Sequence, residues 1–183
     1  MRMKKLIFLV VFLSSFGIAR SQNLYRCEDG KISFSSNAPL ELINASTEEL
    51  RGVIDPDKRT FAFVVKITSF KGFNAELQRD HFNENYMESD KYPNASFKGK
   101  IIEETDFSKN GNYVVRAKGT INIHGVEQER IIKARVTIDN NSMAVEASFP
   151  VVLNDHDISV PKVVHEKIAS EVTVEITAVL SKK

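Results

Sequence analysis

From Tyr113 the chain reads YVVRAKGTINIHG, which puts Tyr113, Val115, Ala117, Gly119, Ile121 and Ile123 on one side and Arg116, Lys118, Thr120 and Asn122 on the other. A period of two with one apolar side describes a strand with one wet face; a helix would smear that pattern around its whole circumference. After a turn at HGVEQE, the segment RIIKARVTID resumes the alternation with Ile132, Ala134, Val136 and Ile138 inside. DNNS turns the chain again. MAVEASFPVVL continues the pattern through Met143, Val145, Ala147, Phe149, Val151 and Leu153, and EVTVEITAVL through Val172, Val174, Ile176, Ala178 and Leu180. In the first half KISFSS and TFAFVVKITSF do the same through Ile32 and Phe34, then Phe61, Phe63, Val65 and Ile67. The pattern predicts eight or nine long strands in an all-β domain.

The connections DPDKR, DFSKNGN and DNNS are too short for crossover helices, so the strands run antiparallel in a meander. An open sheet of that kind leaves its apolar face in water and its edges unpaired. Closing into a barrel removes both problems together.

Alternation fails in one place, NAELQRDHFNENYMESDKYP. Helix-forming residues, Leu77, His81 or Phe82, and Tyr86 near helical spacing, and a stop at Pro93 predict a short helical insertion near residues 75–90. Phe82, Tyr86 and Tyr92 lie among charges, as suits a lid with one face on a barrel end and the other in water. A purely structural cover satisfies the same pattern.

The chain opens with basic MRMKK, an apolar run LIFLVVFLSSFGIA, and Ala19 and Ser21 three and one positions before Gln22. This predicts a secretory signal over residues 1–21, an exported mature domain over residues 22–183, and no integral membrane segment once the leader is cleaved. Losing Arg2, Lys4, Lys5 and Arg20 turns 25 basic and 24 acidic residues into 21 and 24. A slightly acidic mature surface gives no basis for nucleic-acid binding. The single cysteine, Cys27, excludes an intramolecular disulfide, so burial alone stabilises the core. Cys27 reads as an inert small residue at a strand end.

Catalytic and metal motifs are sparse. His81, His124, His156 and His165 form no His-x-His or His-x-x-x-His pair, and the expected metal and cofactor content is none. His124 before Gly125 reads as a hairpin turn. In NDHDIS, the neighbours Asp155, His156 and Asp157 point alternately to opposite faces, which predicts a loop or bulge at a barrel rim. No nucleophile elbow, phosphate loop or nucleotide fingerprint appears, and no catalytic residue is assigned. Arg79 has two readings: a contact to a polar head group, or an ion pair with Glu76 on the helix surface.

Three blocks carry a resemblance. RDHFNENYMESDKYPNASFKGKI, with Arg79, Asp80, His81, Lys91, Tyr92, Pro93 and Phe97, is followed by an apolar strand ending in His124, Gly125 and Val126, and then by the stretch from Leu153 to Ile176. Together they resemble the YceI-like family of exported polyisoprenoid-binding proteins. The opening YRCEDGK and the short interval from Arg79 to Lys91 depart from the usual family pattern. The resemblance implies an extended, lipocalin-like antiparallel barrel with a helical insertion. It also implies an exported binding protein, not an enzyme, that holds an isoprenoid or other long-chain lipid inside.

On that implication the apolar inner face becomes the ligand lining. It comprises Phe34 on one strand; Phe61, Phe63, Val65 and Ile67 on another; then Phe97 and Ile101; Tyr113, Val115, Ile121 and Ile123; Val145, Phe149 and Val151; and Val174 and Ile176. Arg79, His81, Phe82 and Tyr86 are the lid and head-group candidates. Alternation by itself does not separate a ligand cavity from a packed core. Two other readings therefore stay open: a lipid-modifying enzyme using His81 and Asp80, which requires His81 to face the cavity, and an envelope interaction module with a filled barrel. Self-association as a homodimer is equally open.

Overall fold

The computed structural model describes residues 23–182, so the expected leader lies outside the described residues. Eight strands follow one another: β1 (Tyr25–Asn37), β2 (Leu42–Asp55), β3 (Thr60–Lys66), β4 (Asn94–Ile101), β5 (Gly111–Ile123), β6 (Val126–Asp139), β7 (Ser142–Val152) and β8 (Glu171–Lys182). Each pairs antiparallel with its sequence neighbour, and β8 returns to β1 to close the barrel. One short helix, α1 (Glu76–His81), continues through a wider π-helical turn over Phe82–Tyr86 between β3 and β4. Among the described residues no helix is long and apolar enough to cross a membrane, which says nothing of strands.

Strand β2 escapes a reading based on strict alternation. Ile43, Ala45 and Thr47 face inward, but the next buried residue is Leu50, three positions on. Thr47 pairs with Ile32 and Leu50 with Gly30, so β2 carries one extra residue there, a β-bulge that flips the phase. The Glu49 amide donates to Thr47 Oγ1 at 3.1 Å inside that bulge. A second bulge, on β1, explains the opening YRCEDGK. Between the pairs Cys27–Gly52 and Gly30–Leu50, β1 advances three residues and β2 two, leaving Glu28 and Asp29 both exposed.

Inside, the barrel is solid at one end. Met143 and Leu180 are wholly buried, with Val115, Val136, Ile138 and Ile54 nearly so. The β4–β5 loop tucks Phe107 beneath them, edge-on to Tyr113 at 6.0 Å. The β2–β3 turn seals the same end. Burial alone would raise the Asp55 pKa, but the Lys58 backbone amide and ammonium outweigh it and hold the carboxyl below the usual range. Strands β4 and β5 approach unusually closely where Gly99 and Gly119 pair: a Cβ on either would collide with the facing carbonyl, Lys118 or Lys98.

Val115→Asp places an unpaired carboxylate in the solid end, which costs several kcal/mol out of the roughly 5–15 kcal/mol that stabilise a domain. The variant should fail to give a cooperative thermal transition. Lys118→Asp, on the outer face of the same strand, should stay within about 0.5 kcal/mol of wild type. Equal tolerance at both positions in a melting experiment contradicts this register.

Candidate ligand cavity at the mouth of the barrel

The other end of the barrel is hollow. A cavity of about 480 Å³ opens there, within the range that holds drug-sized ligands, and its walls are overwhelmingly apolar. Of the residues expected to line it, Phe34, Phe63, Val65, Ile67, Phe97, Ile121, Ile123, Phe149, Val151, Val174 and Ile176 do so. Phe61, Ile101, Tyr113, Val115 and Val145 do not: they belong to the packed core beneath. Period-two alternation reports which side of the wall a residue faces but not its height along the barrel axis. Tyr113 even reaches the far rim, where its hydroxyl donates to the Lys109 carbonyl at 2.9 Å. Lining residues missed from sequence include Ile43 and Leu50, hidden by the bulge in β2, and Phe70 and Phe73, which lie beyond the end of β3.

The insertion covers the cavity as a lid. Phe82 stacks on Phe34 at 5.3 Å and meets Phe73 at 5.1 Å and Phe70 at 5.9 Å, forming a four-ring cluster at the mouth. The wide turn is closed by the Met87 amide on the Phe82 carbonyl at 2.9 Å, and both Phe82 and Tyr86 line the cavity. Burial pushes the Tyr86 phenol up. Leu77 also borders the cavity but is 63% exposed, at its outer lip. The start of the lid is held by polar contacts: Gln78 donates to Glu41 at 2.9 Å, and the Asn74 amide donates to the Leu42 carbonyl at 3.1 Å.

The charged candidates divide. Arg79 pairs with Glu76 at 3.4 Å, with both side chains exposed, and does not line the cavity. The side chain takes the helix-surface geometry and does not reach the cavity wall. His81 sits at the lip and lines the cavity; Asp80 does not, and among the described residues no hydrogen bond joins the two. Cys27 is buried with Sγ 3.8 Å from the Leu50 carbonyl, and burial pushes its thiol up, away from reactivity.

Tyr92 is not a lid residue. Its ring packs edge-on to His124 at 4.7 Å and lies where a Cβ on Gly125 would collide with it. His124 and Gly125, at φ 54° and 76°, form the two-residue turn between β5 and β6, so the hairpin reading holds. Sequence spacing gave no sign that His124 also joins two distant segments. Its Nδ1 lies 3.0 Å from the His156 carbonyl and its Nε2 2.9 Å from Glu88 Oε2. The three sequence blocks thus converge on one ring, outside the cavity. His156 itself is buried at the rim while Asp155 and Asp157 are exposed; the segment is not extended but a 3-10 turn over Leu153–His156, ended by Asp157 in the left-handed region.

A profile for the YceI-like domain matches residues 28–180. No curated protein sequence matches. Among solved structures, a polyisoprenoid-binding domain from Saccharophagus degradans, implicated in plant cell wall breakdown, superposes with a TM-score of 0.74 at 13% identity, over 89% of this chain and 100% of that one. BcnA of Burkholderia cenocepacia gives 0.66 at 15% identity, over 83% and 96%. The YCEI protein of Campylobacter jejuni gives 0.59 at 14%, over 77% and 85%. At these identities the likeness is one of fold.

His156 provides a pH test of the rim. Burial lowers its pKa below 6.5, against the opposing pull of the Val126 and Ile123 backbone and of Asp155, and its Nδ1 has no partner. The unfolded chain therefore takes up this proton first as pH falls. The contribution is complete above pH 6.5 and is lost as pH drops from there toward the lowered folded value. Melting temperature against pH should be flatter on the acid side in His156→Phe than in wild type; identical slopes contradict the assignment.

Proposed function

We propose, from the premise that the chain belongs to the YceI-like family, that it sequesters a long apolar ligand, an isoprenoid or related lipid, in the hollow half of its barrel. The observation that carries this reading is the apolar cavity of about 480 Å³ beneath an aromatic lid. Binding then runs on desolvation. Each methylene moved from water contributes roughly 0.8 kcal/mol, so one five-carbon unit contributes about 3–4 kcal/mol gross, before ordering costs are subtracted. The Saccharophagus degradans neighbour is described as a polyisoprenoid-binding domain, and the same class of ligand suits this cavity.

The mouth favours an uncharged head group. A diphosphate is recognised by several converging cations, whereas the lining includes one lysine, Lys167, together with the acid Glu41 and the neutral Asn74, Gln78 and Ser36. Arg79, the nearest guanidinium in sequence, is turned to Glu76. Those groups suit an alcohol, an amide or a quinone. The reading is of a carrier and not an enzyme: His81 at the lip lacks the nucleophile and orienting partner that acid–base chemistry needs. Residues 1–21 act as an export signal in this proposal, which places the carrier in the periplasm or outside the cell.

Native mass spectrometry of protein purified from the cell envelope should show a chain beginning at Gln22 with a co-purified prenyl lipid. A bare protein that also takes up no added prenol or prenylquinone rejects the proposal. Phe82→Ala should leave the barrel's melting transition close to wild type and speed lipid release by about tenfold or more, the factor that each 1.4 kcal/mol lost from the lid confers. Wild type and His81→Ala should both leave the lipid chemically unchanged; turnover by wild type alone replaces the carrier with an enzyme.

A further inference from the structure

The cavity ends abruptly, and at the same step on seven strands. The deepest lining residues are Ile32, Leu50, Phe63, Phe97, Ile121, Phe149 and Ile176, on β1, β2, β3, β4, β5, β7 and β8. The next inward positions on those strands are Gly30, Gly52, Phe61, Gly99, Gly119, Ala147 and Ala178. Six of these seven are glycine or alanine. The glycines are not openings: Gly52 lies under the Phe63 ring, Gly30 against Ala178 and Leu50, and Gly99 and Gly119 against each other's strand, so the one large side chain among these seven positions is Phe61.

The register sets that ring beside two glycines. Phe61 pairs directly with Gly99, and Gly99 with Gly119, so two successive cross-strand neighbours have no side chain. The ring is 6% exposed, 4.8 Å from Phe97 and 6.4 Å from Phe63, the two phenylalanines that face the void from β4 and β3. Below it, Ile101, Val115, Val145 and Leu180 are packed to 7% exposure or less. Phe61 is therefore the uppermost group of the solid core and the floor of the hollow half.

We infer that Phe61 sets the length of apolar chain the site accepts, acting as a floor against which the far end of the tail stops. This deepens the carrier reading and rests on it. At interior packing density a five-carbon unit occupies on the order of 100 Å³, so the cavity holds about four or five units. Up to that length each added unit exchanges water for apolar wall. Beyond it, added units have no wall to meet and extend past the lid.

The test uses the whole mature protein, stripped of lipid, and a ladder of linear all-trans prenols lengthened one five-carbon unit at a time, read by displacement of a solvatochromic dye. In wild type, affinity should rise by about tenfold or more per unit and then level off after four or five units. Phe61→Ala should move that break about one unit longer, because the volume of its ring is vacated beneath Phe97 and Phe63. Phe61→Leu gives a smaller shift in the same direction should the alanine variant not fold. Ile176→Phe, which fills the void from the strand opposite β4, should move the break shorter. A break that stays put in the Phe61 variants and in Ile176→Phe, or an affinity that keeps climbing with length in wild type, overturns the floor while leaving the carrier intact. If no prenol of any length binds wild type, the carrier reading itself fails and the floor with it.

Discussion

The ladder between β1 and β8 runs from Lys31 and Thr177 to Ser35 and Thr173, and rejoins beyond the bulge at Arg26 and Ser181. Every other feature depends on that closure. Without it, Ile32 and Ile176 would face water, and both edges would present rows of unpaired amides and carbonyls. With it, eight strands enclose an interior too long to be filled by one layer of side chains. The glycine and alanine layer with Phe61 in it then divides that interior into a packed half, which supplies cohesion, and a hollow half, which has surface to spare for a ligand. The packed core and the cavity wall are thus built from different stretches of the same strands.

The closed antiparallel barrel and its helical insertion were legible because both rest on periodicity. Val115, Ile132 and Val145 announce their side of the sheet by spacing alone, and the insertion announces itself where the spacing fails. Strand β2 was not legible, because one extra residue between Thr47 and Leu50 reverses the phase that alternation relies on. Height along the axis was not legible either. Phe61 and Phe63 have the same chemistry and the same inward face, yet one is core and the other is cavity wall. What separates them is cross-strand register: Phe61 faces Gly99, and Phe63 faces Phe97.

The site also contains a lesson about motif residues. Lys91, Tyr92 and Pro93, the His124-Gly125 turn and the segment around His156 are the parts of the chain that stand out in sequence, and none of Lys91, Tyr92, Pro93, His124 or His156 lines the cavity. They meet one another instead. Tyr92 lies on Gly125, and His124 spans from Glu88 to the His156 carbonyl, fastening the return from the lid to the β5–β6 hairpin and to the segment before β8. A glycine is required at position 125 twice over, by its positive φ and by the ring of Tyr92 above it. From the same blocks, His81, Phe97 and the apolar residues from Leu153 to Ile176 do reach the cavity, beside valines, isoleucines and phenylalanines that carry no motif.

The fastenings of the lid are unequal, and that inequality gives it a direction of opening. Its C-terminal end is anchored through Glu88 and Tyr92 to the hairpin, and Met87 is buried with Ile67 and Ile158. Its N-terminal end has no side-chain cap on α1, no buried residue within the helix, and exposed or part-buried polar contacts from Asn74 and Gln78 to the Glu41–Leu42 corner. Contacts of that kind exchange with water at little net cost, whereas the four-ring cluster around Phe82 must be desolvated again to close. The segment from Asn74 to His81 is therefore the end of the lid that is cheaper to open, and the contacts around Phe82 are the costlier ones to part. Such an opening breaks no rung of the barrel ladder, so it lies far below global unfolding in free energy.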